Sequence, residues 1–134
     1  MTYTLSSTLS RPYAEAVEAV RAALAEQGFG VLTEIDLAAT LKAKLDVDIA
    51  PQVILGACRP PLAYQALQAD PSIGALLPCN VVVRRQAGAQ ETTVEAIDPQ
   101  AMVQLSDAPA VKDVADDAGT RLRKALASLD GAAG

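Results

Sequence analysis

The chain has 134 residues, 51% of them hydrophobic, with a formal net charge of −5 and no histidine. That length makes one domain able to bury roughly 68% of its unfolded surface, and the apolar fraction argues against disorder. An acidic chain with only 3% aromatic residues lacks the phosphate-neutralising surface and stacking platforms that nucleic acid requires, so no nucleic-acid partner is expected.

Further classes fall on residue usage. The N-terminal Met1-Thr-Tyr-Thr-Leu has neither the charged nor the apolar region of a secretion signal. No apolar run approaches the ~18–20 residues needed to span a bilayer. A cytoplasmic protein is therefore expected, with no membrane partner and with Cys58 and Cys79 reduced. The absence of histidine removes the commonest general base and every imidazole metal ligand.

Thr2 to Leu9 alternates with a period of two, as a half-buried first strand does. Ser10 and Pro12 are read as a hydroxyl cap and a first-turn proline. The stripe Tyr13, Val17, Val20, Leu24 then predicts a helix over 11–27, which Gly28 stops. Phe29 to Asp36 reads as a second strand with Val31, Thr33 and Ile35 on one face and Leu32, Glu34 and Asp36 on the other. Leu37, Leu41 and Leu45 repeat every four residues and mark a short helix.

Gln52 to Cys58 is the third strand, apolar enough for at least partial burial on both faces. Arg59-Pro60-Pro61 opens a helix to Ala69, and Asp70-Pro-Ser-Ile-Gly74 is turn chemistry. Strand four is placed over Leu76–Arg84, with Pro78 marking its beginning or a bulge. The Arg84-Arg85 pair is read as a solvated strand tip. A loop at Gln86–Ala89 leads to strand five, Gln90–Ile97, with Thr92, Val94 and Ala96 on one face. Asp98-Pro99 caps a short helix to Leu105. The last helix, 107–129, carries the stripe Val111, Val114, Ala118, Leu122, Ala125 and Leu129. Residues 1–130 form a single domain and 131–134 a flexible tail.

In Gly28-Phe29-Gly30, Glu34-Ile35-Asp36, Leu55-Gly56-Ala57-Cys58, Pro60, Ala63, Asp70-Pro71 and Leu77-Pro78-Cys79-Asn80-Val81-Val82-Val83, the chain resembles the bacterial domain-of-unknown-function 302 family. The resemblance runs over essentially the whole sequence. It departs at Arg59, where the family pattern commonly has Asn. It implies an α+β fold, a β-α-β(4)-α curved antiparallel sheet covered by helices on one face, of TATA-box-binding-protein-like topology. It also implies a homodimer, and it implies no activity. A topology shared with a DNA-binding protein is no argument for DNA binding.

Two residue pairs are candidates for chemistry. Cys58 closes strand three before a helix N-terminus, where the helix dipole and Arg59 favour a thiolate, and Cys79 opens strand four. If these strands are antiparallel neighbours, the thiols approach and a 58–79 disulfide becomes possible; the alternative is two buried, inert packing residues. Glu34 and Asp36, two apart on a strand, share a face about 6.5–7 Å apart and suit acid-base work or a hard cation, against an ordinary solvated face. Asp46 and Asp48 carry the same alternatives. Two thiolates separated by twenty residues do not complete a zinc site, so no metal and no cofactor is expected. Gly28-Phe-Gly30 is no dinucleotide fingerprint, because Thr33 stands where the third glycine belongs.

Three functions are compatible with these residues. The first is a non-enzymatic dimeric module whose pocket between sheet and helices takes an apolar ligand or a protein partner. The second is a thiol-dependent redox or sulfur-handling protein using Cys58 and Cys79. The third is a carboxylate-dependent enzyme using Glu34 or Asp36.

Overall fold

The computed structural model describes residues 2–132, with side chains described as far as residue 129. Five strands, β1 (Thr4–Leu9), β2 (Gly30–Asp36), β3 (Gln52–Cys58), β4 (Cys79–Arg84) and β5 (Thr92–Ile97), form one sheet in the order β1-β5-β4-β3-β2. Every neighbouring pair is antiparallel. The helices are α1 (Tyr13–Glu26), α2 (Leu37–Leu45), α3 (Pro60–Ala69), α4 (Gln100–Leu105) and α5 (Ala110–Ala132), with a 3-10 turn at Pro71–Leu76. This is the α+β, β-α-β(4)-α arrangement expected, with short helices inserted between its strands.

Strand alternation divides the sheet into two unlike faces. Val53, Leu55 and Ala57 of β3 meet Val83, Val81 and Cys79 of β4 across the ladder, and Val94 and Ala96 of β5 continue the row. Cys79 aside, these side chains are buried with Val20 and Leu24 of α1 and Leu122, Ala125 and Leu129 of α5 in one core. The amphipathic stripes of the two long helices thus cover the same sheet face, because each needs a single apolar surface to bury against. A second, smaller core joins Leu62, Ala66, Ile73 and Met102 to Val111, Val114, Ala115 and Ala118. Helix α5 bridges both cores: its first half packs α3 and α4, and its second half packs the sheet.

Several local expectations change. Helix α1 starts after Pro12, which occupies the cap position without a side-chain hydrogen bond, so Ser10 is not the cap. Gly28 does take the left-handed conformation, at φ +82, as the chain leaves α1. A register shift between Val31 and Thr33 pairs Val31 with Ala57 and Glu34 with Leu55. A bulge places two residues against one, so Val31 joins the face of Glu34 and Asp36, and Thr33 and Ile35 take the opposite one. Strand β4 begins at Cys79, later than Leu76, because Pro71–Leu76 coils into the 3-10 turn with the Asp70 carboxylate accepting from the Ser72 N–H at 3.0 Å. Strand β5 begins at Thr92.

The basic pair is not a solvated tip. Arg84 donates to Glu95, and Arg85 donates to the carbonyls of Ala89, Gln90 and Arg11, tying the β4–β5 loop to the chain before α1. Helix α5 continues through Ala132, so Gly131 and Ala132 of the expected tail are helical; Ala133 and Gly134 lie outside the described residues. No helix among the described residues is long and apolar enough to cross a membrane.

Candidate functional site

The sheet face turned away from α1 and α5 carries Gln52, Ile54 and Gly56 of β3, Asn80, Val82 and Arg84 of β4, Glu95 and Ile97 of β5, and Thr4 and Ser6 of β1, as the registers require. A concavity of about 530 Å³ opens on this face. Its apolar walls come from residues beyond the strand ends: Leu76, Leu77 and Pro78 on one side, and Pro99, Met102 and Leu105 of the α4 segment on the other. The floor is the sheet itself, with Val82 and Ile97 between the polar side chains. A volume in this range with apolar walls and a few placed polar groups is what small-molecule sites have in common.

The centre of the floor is a charge pair across the β4–β5 hairpin. Arg84 donates from Nε and Nη2 to Glu95 Oε1 at 3.0 and 2.7 Å. The other carboxylate oxygen accepts from Thr4 at 3.3 Å and Ser6 at 3.4 Å. The Arg84 hydrogen bond, more than any other contact, lowers the Glu95 pKa below the ordinary carboxylate value, against an opposing effect of burial. Glu95 is therefore a fixed anion at neutral pH. Its charge is compensated where it stands.

Gly56 shapes one end of this face. A Cβ there would lie 2.2 Å from Thr33 Oγ1 and 2.9 Å from Pro78 Cγ, so only glycine lets β2 and the Pro78 segment close over β3.

The two cysteines come near each other without sharing a face. Cys79 pairs with Ala57 in the ladder, so Cys58 sits one residue beyond its partner. Alternation sends neighbouring side chains to opposite sides, which sets Cys79 among the core residues. Both residues nevertheless line a cavity of about 30 Å³ at the strand ends, with Arg59, Phe29, Leu62 and Met102 around it. Cys79 is buried and Cys58 half-exposed, and both are free thiols. Burial chiefly, and the neighbouring Cys58 secondarily, push the Cys79 pKa up to about 11. A thiol so shifted carries little thiolate at neutral pH and is a poor nucleophile.

The carboxylates have structural work. Asp36 caps α2, accepting from the Ala39 N–H at 2.9 Å, and Glu34 is ion-paired with Arg21 of α1. Both are exposed on the α1 side of the sheet edge, beside Tyr13 in a depression of about 270 Å³. Burial first, then Asp36 and Glu34, raise the Tyr13 pKa. Asp46 ends α2 in the left-handed conformation and, with Asp48, pairs with Lys42. Among the described residues no group of three or more acidic or cysteine side chains is placed to hold a metal ion.

The sequence reading did not select Gln52, Asn80, Arg84 or Glu95. The signal was there in the alternation Asn80-Val-Val82-Val-Arg84 opposite Thr93-Val-Glu95-Ala-Ile97, which puts polar and apolar side chains together on the face that the core does not use. The large concavity lies between the sheet and the α4 segment, on the face opposite α1 and α5; a void of about 10 Å³ lies among those packed helices and the strands.

Fold and site together define a one-sheet α+β domain with one face sealed by helices and the other open over a walled, charge-compensated floor. The family described as "Domain of unknown function DUF302" matches residues 4–129, and the chain belongs to that family. It is similar to an uncharacterised conserved DUF302 protein from Bacillus stearothermophilus of known crystal structure, at 30% identity and a TM-score of 0.86, over 95% of this chain and 98% of that one. No curated protein matches the chain.

Proposed function

We propose that the protein is a non-enzymatic binding module that takes a small, apolar-bodied ligand into the open-face concavity and works in the cytoplasm as a homodimer. The observation that carries this reading is the concavity of about 530 Å³, whose walls are apolar and whose floor charges are already paired. A catalytic site keeps a group poised to exchange protons or attack. Here Glu95 is held as an anion by Arg84, and the Cys79 thiol, on the core side of the same sheet, is pushed up to about 11. Such groups favour holding a molecule over transforming it. The net charge of −5 gives nucleic acid no surface to prefer.

The dimer has separate support in the β2–α2 corner. Helix α2 buries none of its residues, and Leu32, Ile35, Leu45, Val47 and Ile49 are all exposed. Apolar surface of this kind, next to an edge strand, is what a second copy covers.

The test uses the neutral fluorophore N-phenyl-1-naphthylamine, which brightens in apolar sites. The native protein should bind it, and Val82→Trp, which fills the floor, should abolish binding while the melting temperature holds. Failure to bind, or binding unaffected by Val82→Trp, overturns the ligand reading. Light scattering at micromolar concentration should return the mass of two 13.8 kDa chains; the mass of one chain overturns the dimer.

The thiol reading keeps one specific observation, the shared 30 Å³ cavity of Cys58 and Cys79. It ranks second because the buried partner is held protonated.

A further inference from the structure

We infer that the concavity selects a ligand with an uncharged, hydrogen-bonding head and an apolar tail, and discriminates against the same tail carrying a carboxylate or an ammonium group. The inference rests on the binding reading above and adds the chemical class of the ligand.

The lining charges decide the head. Two carboxylates border the concavity, Glu95 and Asp98, and one cation, Arg84. Arg84 directs two of its N–H groups at Glu95 Oε1. Asp98 accepts from the Gln100 N–H at 3.0 Å and stands 3.9 Å from Arg123 Nη2. A ligand carboxylate would have to draw Arg84 from Glu95 or sit beside two anions in a partly dehydrated cleft. A ligand ammonium would face Arg84 and compete for Glu95 oxygens that already accept from Arg84, Thr4 and Ser6. Either charge loses hydration without a free counter-charge to replace it.

A neutral head meets no such cost. The side-chain amides of Gln52 and Asn80 border the same floor and each offer a donor and an acceptor. In the ladder Gln52 stands opposite Arg84, and Asn80 lies four residues away along β4, so a carboxamide or hydroxyl head beside the Arg84–Glu95 pair meets Gln52 alone. The tail follows from the walls: Leu76, Leu77, Pro78, Met102 and Leu105 beyond the strand ends present apolar carbon on both sides. Arg84 and Gln52 lie toward one end of the floor, and the apolar residues flanking the start of β4 and the end of β5 lie toward the other, which orients an amphipathic molecule along the cleft.

The experiment compares decanamide, decanoate and decylamine, each below its aggregation limit, as competitors of N-phenyl-1-naphthylamine on the intact protein at neutral pH. Decanamide should displace the probe at least about tenfold more tightly than either charged congener, and its affinity should not change with salt. In Glu95→Gln, where Arg84 loses its counter-charge, decanoate should gain at least about tenfold relative to decanamide. If decanoate or decylamine equals decanamide in the native protein, the head-group inference falls while the binding reading stands, because the probe is still bound. If the probe itself does not bind, the binding reading falls and takes the inference with it. If Glu95→Gln is folded and leaves the ratio unchanged, selection does not come from the Arg84–Glu95 pair. The native series decides the matter without that variant should it not fold.

Discussion

Strand β4 sends Cys79, Val81 and Val83 to one side of the sheet and Asn80, Val82 and Arg84 to the other. On the first side two amphipathic helices close over β3–β5, with a void of about 10 Å³ among them and a depression of about 270 Å³ at the β2 edge; on the second the strands floor a concavity of about 530 Å³. The same backbone therefore serves packing and recognition at once. What separates them is which neighbours the chain supplies. The long stripes of α1 and α5 cover one face over β3, β4 and β5, whereas only the 3-10 turn and short α4 reach the rim of the other.

The largest expected contrast is in thiol reactivity. With its pKa pushed up from an ordinary 9.0 to about 11, Cys79 should alkylate at least about a hundredfold more slowly in the native protein than in the unfolded chain. Half-exposed Cys58 should label in the native state. Mass spectrometry of peptides after timed iodoacetamide exposure checks this, and rapid native labelling of Cys79 would mean that its face is not sealed.

Next comes packing. Leu55 is fully buried on the sealed face, so Leu55→Ala should cost about 3 kcal/mol and lower the melting temperature by on the order of 10 °C. Val82→Ala, on the open face opposite α1 and α5, should cost less than about 1 kcal/mol. Equal losses in thermal melts would erase the distinction between the faces.

Gly56→Ala should destabilise by about 2 kcal/mol, within the range for overpacking, because its Cβ would meet Thr33 Oγ1 at 2.2 Å. Adding Thr33→Ala removes that oxygen and should recover part of the loss; additive losses in the double variant would refute the proposed clash. The contact with Pro78 at 2.9 Å keeps the recovery partial.

The smallest effect is electrostatic. Glu95 has a folded pKa below its unfolded value, so its contribution to stability is present above the ordinary glutamate pKa of about 4.3 and is lost as pH falls through the lower folded value. Its side chain is 26% exposed and that of Arg84 33%, so the contribution should be below about 1 kcal/mol. Denaturant titrations should find Glu95→Gln less stable than the native protein at pH 7 and the gap closing below pH about 4. A gap independent of pH would assign the loss to shape rather than charge.

The sequence made the sealed face readable because helical stripes and strand alternation are local patterns. Val20 and Leu24 in α1, and Val111 through Leu129 in α5, all reach the buried positions that their spacing implies. Misreadings arose where tertiary contacts override local pattern. One bulged residue in β2 moves Val31 to the other face. The stripe Leu37, Leu41, Leu45 makes a helix but finds nothing among the described residues to bury it fully. Site residues are harder to read for a related reason. Cys58, Cys79, Glu34 and Asp36 attract notice by residue type; Cys79 is buried, Asp36 caps α2 and Glu34 pairs with Arg21. Gln52, Asn80, Arg84 and Glu95 are ordinary surface types, brought together only by the register of β3, β4 and β5.

The central claim, that the open face is the binding face, is tested most directly by mapping amide chemical shifts of the uniformly ¹⁵N-labelled protein during titration with N-phenyl-1-naphthylamine. The shifts should concentrate at Val82, Arg84, Glu95 and Ile97 and in α4 around Met102, leaving the α1–α5 interface unchanged. Shifts confined to the β2–α2 corner, or spread through the sealed core, would contradict it.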